Sequence, residues 1–440
     1  MDTKKIAIIG AGFGGMSAAY DLCKAGHQVD IYEGDQQAGG LASGFKEPNW
    51  EWSVEKYYHH WFASDRHVLG LIDELGWRDQ VLFPRPYTVL FHKDKFYPFD
   101  SILTALMNPI LGWGVNKVRF GMVGLYLKLT GNWRPLEKVT AEAWMKKWAG
   151  KKVYEEMWEP LLQGKFGDWY MHDVNMAWMW ARLHARTTRL GTFKGGFQAF
   201  ANKMQKRLND MGVQFKFNTI IRQIQKLQDG KLELTPAGGK SVKYDICLVT
   251  SSPGQMAGMA RGLPKNYLQG LLALKHMGAV VLVVSLRQRL SCDGYYWFNL
   301  PKSAGFPFLA LVEHTNFIPA ENFGGDHIIY IGDYLEPDHV YFKLTKEELL
   351  ARFMPGLIRI NPEFNLDWVK KSWLYRTAYA QPVPIISHSK NIPDIRTPIS
   401  GLYFASMSQV YPWDRGTNFA VEIGRRAAGL INTDLSANSS

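Results

Sequence analysis

Residues 5–41 of this 440-residue chain read KIAIIGAGFGGMSAAYDLCKAGHQVDIYEGDQQAGGL, and they decide its fold. The run Ile6-Ala7-Ile8-Ile9 is apolar, β-branched, too short for a helix and closed by glycine, so it reads as a buried strand. Gly10-x-Gly12-x-x-Gly15 follows at once. Met16, Ala19, Tyr20 and Cys23 then fall at i, i+3, i+4 and i+7, one apolar helix face closed by Gly26. A second strand, 28–32, ends at Glu33, eighteen residues after Gly15. Gly10 permits the tight turn, Gly12 lets a pyrophosphate approach the backbone, and Gly15 lets helix and strand pack closely. The helix N-terminus offers free N–H groups to phosphates, and Glu33 can accept from an adenosine ribose. A lone glycine fingerprint is weak, but strand, glycines, helix, strand and acid in this order define a dinucleotide site. Its set is Gly10, Ala11, Gly12, Gly14, Gly15 and Glu33.

Six residues past Glu33 a second glycine turn, Gly39-Gly40-Leu41, occurs. Here the chain resembles the flavin-containing amine oxidase superfamily, which includes monoamine and protoporphyrinogen oxidases, phytoene-type desaturases and, more distantly, UDP-galactopyranose mutases. The resemblance implies FAD, held non-covalently because no cysteine stands near the closing segment. It resumes at Gly195-Gly196 with a following helix faced by Phe197, Phe200, Met204 and Leu208, and Ile221 matches the residue whose backbone meets the adenine. It closes at 401–428, where Arg415, Gly416, Thr417 and Asn418 open a helix whose N-terminus is expected at the flavin pyrimidine. Ser406-Met407 stands where relatives carry Gly and an acid, so Ser406 is a cofactor candidate at a departure from the pattern. Tyr411 to Arg415 is read as a cap on the flavin or as an aromatic loop over the helix start.

The resemblance implies an α/β fold: a Rossmann-like, discontinuous FAD-binding domain (1–85, 190–265 and 385–440) with an α+β substrate domain (86–189 and 266–384) inserted in it. In the mutases a segment near the flavin reads Lys-Tyr-Gly-Pro-His-x-Phe. Lys56, Tyr57, His60 and Phe62 match it, while Tyr58 and His59 replace Gly-Pro. Tyr57 and His60 are therefore the catalytic candidates, with a stacked structural histidine as the alternative for His60. Amine oxidases carry a lysine at the position of Ala279; Lys275 lies just upstream, and the absence weakens a specifically amine-oxidising reading.

Composition bounds the rest. Net charge is +11, no nucleic-acid motif stands out, and a membrane surface or the cofactor pyrophosphate is the better match for the excess. Cys23, Cys247 and Cys292 are far apart, which argues against disulfides and a zinc site and for a reducing cytoplasm. No run reaches the ~18 apolar residues of a spanning helix. Half of the 16 tryptophans lie between Trp113 and Trp180. Residues 105–129 hold no acid, but Lys117, Arg119 and Lys128 stand among apolar side chains. The segment reads as an amphipathic surface for the inner face of an anionic bilayer, as an apolar channel wall, or as core with snorkelling cations. Core is the more ordinary use of an apolar stripe. Pro160 is read as a helix interruption, and the tail 433–440 as frayed.

The expected activity is an FAD-dependent oxidoreductase taking hydride from a CH–CH or CH–NH bond of an apolar or porphyrin-like small molecule. The rivals are a redox-neutral sugar-nucleotide mutase and a non-catalytic prenyl carrier of the same fold, as in the GDP-dissociation inhibitors.

Overall fold

A computed structural model describes residues 2–112 and 114–437; Trp113 and the last three residues of the tail lie outside them. The apolar strand Lys5–Ile9 sits at the centre of a five-stranded parallel sheet, and Gln28–Tyr32 pairs on one side of it, Ile246–Val249 on the other. Gln214–Lys216 and Leu402–Phe404 form the edges. Ile6, Ala7 and Ile8 are fully buried, as expected of a central parallel strand covered on both faces. The helices Phe13–Lys24, Phe197–Asp210 and Thr417–Ala437 share one apolar core with this sheet. An antiparallel meander, Ile221–Lys226, Leu232–Pro236 and Val242–Tyr244, packs with the other sheet face through Ile221, Ile224 and Tyr244.

The 244–250 stretch is split between the two sheets. Its start ends the meander, and Ile246–Val249 enters the parallel sheet. The C-terminal helix departs from expectation. It continues to Ala437, and Asp434 on its last turns holds Arg396 at 2.7 Å and the Tyr403 hydroxyl at 2.7 Å, so residues 433–437 are helix rather than frayed tail.

A seven-stranded mixed sheet carries the second half of the fold. Val369–Pro382, His276–Leu286, His327–Leu335, Ala310–Glu313 and Tyr295–Asn299 run in that order, followed by the hairpin Tyr87–His92 and Lys95–Pro98. Over it lies a helical layer from 102 to 185. Met176, Met179 and Trp180 are buried packing there. Pro160 does not end the helix: it follows the π-helical turn Tyr154–Trp158 within one continuous helical run, which goes on through Glu159–Tyr170. The break comes at Gly167, with φ of 62°.

The helix Val115–Leu129 turns its apolar stripe outward. Val123 and Leu127 are buried, while Val115, Val118, Met122, Leu125 and Leu129 are 60% or more exposed. Those five recur at three- and four-residue spacing and so share one face. The core reading of this segment therefore fails for the helix. Among the described residues no helix is long and apolar enough to cross a membrane.

Candidate functional site

The glycine turn and the start of the last helix meet at the carboxyl ends of the parallel strands. Gly10 adopts φ of +109°, and a Cβ there would lie 2.5 Å from the Thr250 hydroxyl. A Cβ on Gly15 would lie 2.0 Å from the Gly10 carbonyl oxygen, which is why strand and helix can close on each other at all. Gly12 differs: its nearest neighbour would be the Gly40 Cα at 3.9 Å, so its open face belongs to no protein group. Gly39 N–H donates to the Ala11 carbonyl at 2.9 Å and bridges Gly12, joining the two glycine turns into one cradle that ends at Leu41.

No side chain caps the helix Phe13–Lys24, and its first turn holds no acid, so its free N–H groups face the cradle uncompensated. Glu33 Oε2 accepts the Ala11 N–H at 2.8 Å and Oε1 that of Asp35 at 2.9 Å. A carboxylate so used keeps lone pairs for ribose hydroxyls. These features fit the pyrophosphate and ribose of a dinucleotide.

Other predicted cofactor residues do different work. Gly14 lets two helices touch: its Cβ would lie 3.2 Å from the Ala420 oxygen, and a Cβ on Gly424 would lie 2.1 Å from the Gly14 oxygen. Thr417 accepts the Trp61 indole N–H at 2.7 Å, and Asn418 Oδ1 accepts the His67 and Val68 N–H groups at 2.9 and 3.1 Å. Their side chains fix the helix start and leave its amides for a ligand. The Ser406 hydroxyl accepts the Ser408 N–H at 3.3 Å and pairs with the Tyr379 hydroxyl at 3.0 Å, an internal cap. Ile221 opens the first strand of the meander, is 4% exposed and shares a core with Tyr32 of the second strand.

Beyond Leu41 the cradle opens into a cavity walled by Tyr57, Tyr58, His59, Tyr334 and Arg415, with Ala279 on the strand opposite. Tyr57, one of the two catalytic candidates, lines this cavity. His59 rather than His60 lies in the wall: His59 Nδ1 donates to the Tyr57 carbonyl at 2.5 Å, which leaves Nε2 as acceptor. His60 packs edge-on against Phe62 and Trp297, at 5.4 and 6.3 Å between centroids, and its Nδ1 is buried without a partner. Burial, together with the charges of His59, Arg186, Arg182 and Lys165, pushes its pKa down to about 3, so it is neutral. Lys56 pairs with Asp35 at 2.8 Å.

Sequence reasoning missed Tyr334; Lys165 and Arg182 stand in the stretches 161–167 and 174–182, whose apolar residues and few basic groups suit a large substrate cavity, and Arg415 is read as a cofactor residue. Lys165 Nζ sits 4.2 Å above the Tyr334 ring, and Arg415 donates to the Tyr334 hydroxyl. Arg182 pairs with Asp414. Burial alone would raise the Tyr334 phenol, but Arg415 and Lys165 bring it below its ordinary value. Basic residues near Gly164 and Trp180 were the available signal.

The fold and the cradle define an α/β protein with a glycine-lined cradle that opens into an aromatic cavity. The chain belongs to the flavin containing amine oxidoreductase family, whose model matches residues 13–432. It is 26% identical over 161 residues to the 15-cis-phytoene desaturase of Narcissus pseudonarcissus, a match covering 32% of this chain and 28% of that one. The chain thus spans about a third or less of the length of the curated desaturases it matches. Among solved structures, a putative protoporphyrinogen oxidase from Exiguobacterium sp. 255-15 superposes with a TM-score of 0.77 at 15% identity, covering 99% of this chain and 100% of that one. A reduced UDP-galactopyranose mutase gives 0.74 at 16%, covering 98% and 95%. At these identities the likeness is one of fold.

Proposed function

We propose that the chain binds FAD along the cradle from Glu33 through Gly12 to the Thr417 helix start, and that it dehydrogenates a small molecule with an apolar body held in the aromatic cavity. The open face of Gly12 in a cradle of uncapped amides carries this reading. A bound flavin supplies hydride acceptance from a CH–CH or CH–NH bond. The chain's own residues do the rest. Tyr57, Tyr58 and Ala279 shape the wall, and the His59–Tyr57 bond fixes one tautomer. The amides of Thr417 and Asn418 would stabilise negative charge on a reduced ring set against this helix start. Purified protein is expected to be yellow, to bleach with dithionite and to recover its bands on oxidation. A colourless protein that takes up no FAD would overturn the reading and favour the carrier.

The outward stripe of the helix Val115–Leu129 supports delivery of the substrate from a bilayer. Helical spacing puts Arg119 on one flank of the stripe and Lys117 and Lys128 on the other, the arrangement of an interfacial helix on anionic lipid. Wild-type protein should sediment with phosphatidylglycerol vesicles, and Met122→Asp/Leu125→Asp should stay in the supernatant with an unchanged melting temperature. Equal sedimentation of the two would remove the membrane from the proposal.

A further inference from the structure

Tyr334 enters the cavity from the strand His327–Leu335 at a place kept clear of bulk. Gly332, two residues back on the same face, has no side chain, and Ala279, directly across the ladder, has only a methyl. Arg415 donates to the Tyr334 hydroxyl, Lys165 Nζ lies 4.2 Å from the ring centre, and Tyr58, also in the wall, hydrogen-bonds to it. Asp414 is the acid facing this group, and Arg182 pairs with it. Burial and Asp414 raise the phenol's pKa, but Arg415, Lys165 and Tyr58 together outweigh them, so Tyr334 ionises below its ordinary value. Its neighbours in the cavity behave differently. Burial raises Tyr57 and Tyr58, which keep their protons. His59 is lowered to about 4, chiefly by burial, and is too weak a base to hold a proton at neutral pH. Asp333, the preceding residue, turns to the opposite face of the strand, where Lys302 stands 3.6 Å away.

We propose that Tyr334 is the proton acceptor of the reaction: its oxygen takes the proton from the substrate atom beside the carbon that gives up hydride. The proposal rests on the cavity being the substrate site. The electron pair of one C–H bond leaves as hydride to the flavin, which is reduced. The electron pair of the neighbouring C–H or N–H bond becomes the new π bond, and its proton passes to the Tyr334 oxygen and then to solvent. Arg415 and Lys165 hold the negative charge of that oxygen before the transfer, and an ionised oxygen with two donors still has a lone pair for the incoming proton. Gly332 and Ala279 leave the room beside the ring in which the reacting atoms would lie.

The test is a pH titration of flavin-loaded protein, from about pH 5 to 9, read in the ultraviolet phenolate band and in the visible flavin bands. Flavin content and melting temperature are measured first for each protein, so a failed cofactor reading shows there as a colourless protein and not in the titration. Wild type is expected to gain one phenolate equivalent below about pH 8, well short of the ordinary value near 10, and its flavin bands should shift with the same midpoint. Tyr334→Phe keeps the ring and its packing and should lose both signals with flavin content unchanged. Lys165→Met should raise the midpoint by about one unit or more. Tetranitromethane, which attacks phenolates, should nitrate Tyr334 ahead of Tyr57 and Tyr58 at neutral pH, as mapped by mass spectrometry. A phenolate step that stays at the ordinary value, that survives in Tyr334→Phe, or that leaves the flavin bands unmoved would overturn the assignment, as would nitration of Tyr57 or Tyr58 before Tyr334.

Discussion

Gly12→Ala is expected to fold as the wild type does and to lose its flavin. Backbone φ of −72° and ψ of 173° at Gly12 suit any residue, and the added methyl would meet the protein at an ordinary 3.9 Å. What it fills is the space through which a pyrophosphate reaches the amides of the helix Phe13–Lys24. Flavin content per protein should fall by about tenfold or more, with the circular-dichroism melt shifted little. Gly15→Ala gives the contrasting result. Its methyl would lie 2.0 Å from the Gly10 carbonyl, so helix and strand must separate, and folded protein and flavin should be lost together. A Gly12→Ala protein with full flavin would place the cofactor elsewhere.

The second large effect is on stability against pH. Glu55 is 2% exposed, accepts the Phe197 N–H at 2.8 Å and the Tyr330 hydroxyl at 3.4 Å, and pairs with no cation. Burial raises its pKa from 4.5 to about 7. The folded state therefore holds the proton more tightly than the unfolded chain does. Its contribution is full below pH 4.5, declines as pH rises towards 7 and is flat above, a loss of about 3 kcal/mol. Glu55→Gln keeps the shape and the Phe197 bond, and its amide donates to the Tyr330 oxygen. The variant should melt a few degrees above wild type at pH 8 and level with it near pH 4.5. A difference that is the same at both values would show that Glu55 does not titrate in this window.

The parts legible in the sequence are those in which one segment supplies the whole pattern. Strand, glycine turn, helix and acid are consecutive in 5–33, so their roles follow from local backbone chemistry, and the helix at Phe197 announced itself by its buried face. Gly14 shows the limit. Its place in the fingerprint suggested a ligand, but its neighbour is a helix four hundred residues away, which periodicity cannot reveal. The cavity wall is harder still, because Tyr58, Lys165, Tyr334 and Arg415 come from four separate segments. His60 carried the family's motif match while its neighbour His59 took the wall; a one-residue choice of this kind is set by the bend at Lys56–Tyr57, not by residue type. The outward stripe of Val115–Leu129 was misjudged for a related reason: spacing reports that a face is apolar, not what lies against it.

The contact between Gly14 and Gly424 also orders events in time. A chain still being made presents its first strand, turn and helix long before Gly424, and the notch at Gly14 has nothing to close it until the helix from Thr417 has left the ribosome. Until then the nascent protein holds a half-built cradle, and on the proposed reading flavin capture waits for that helix. A chain cut short before Thr417 would be as blind to the cofactor as one lacking its first forty residues.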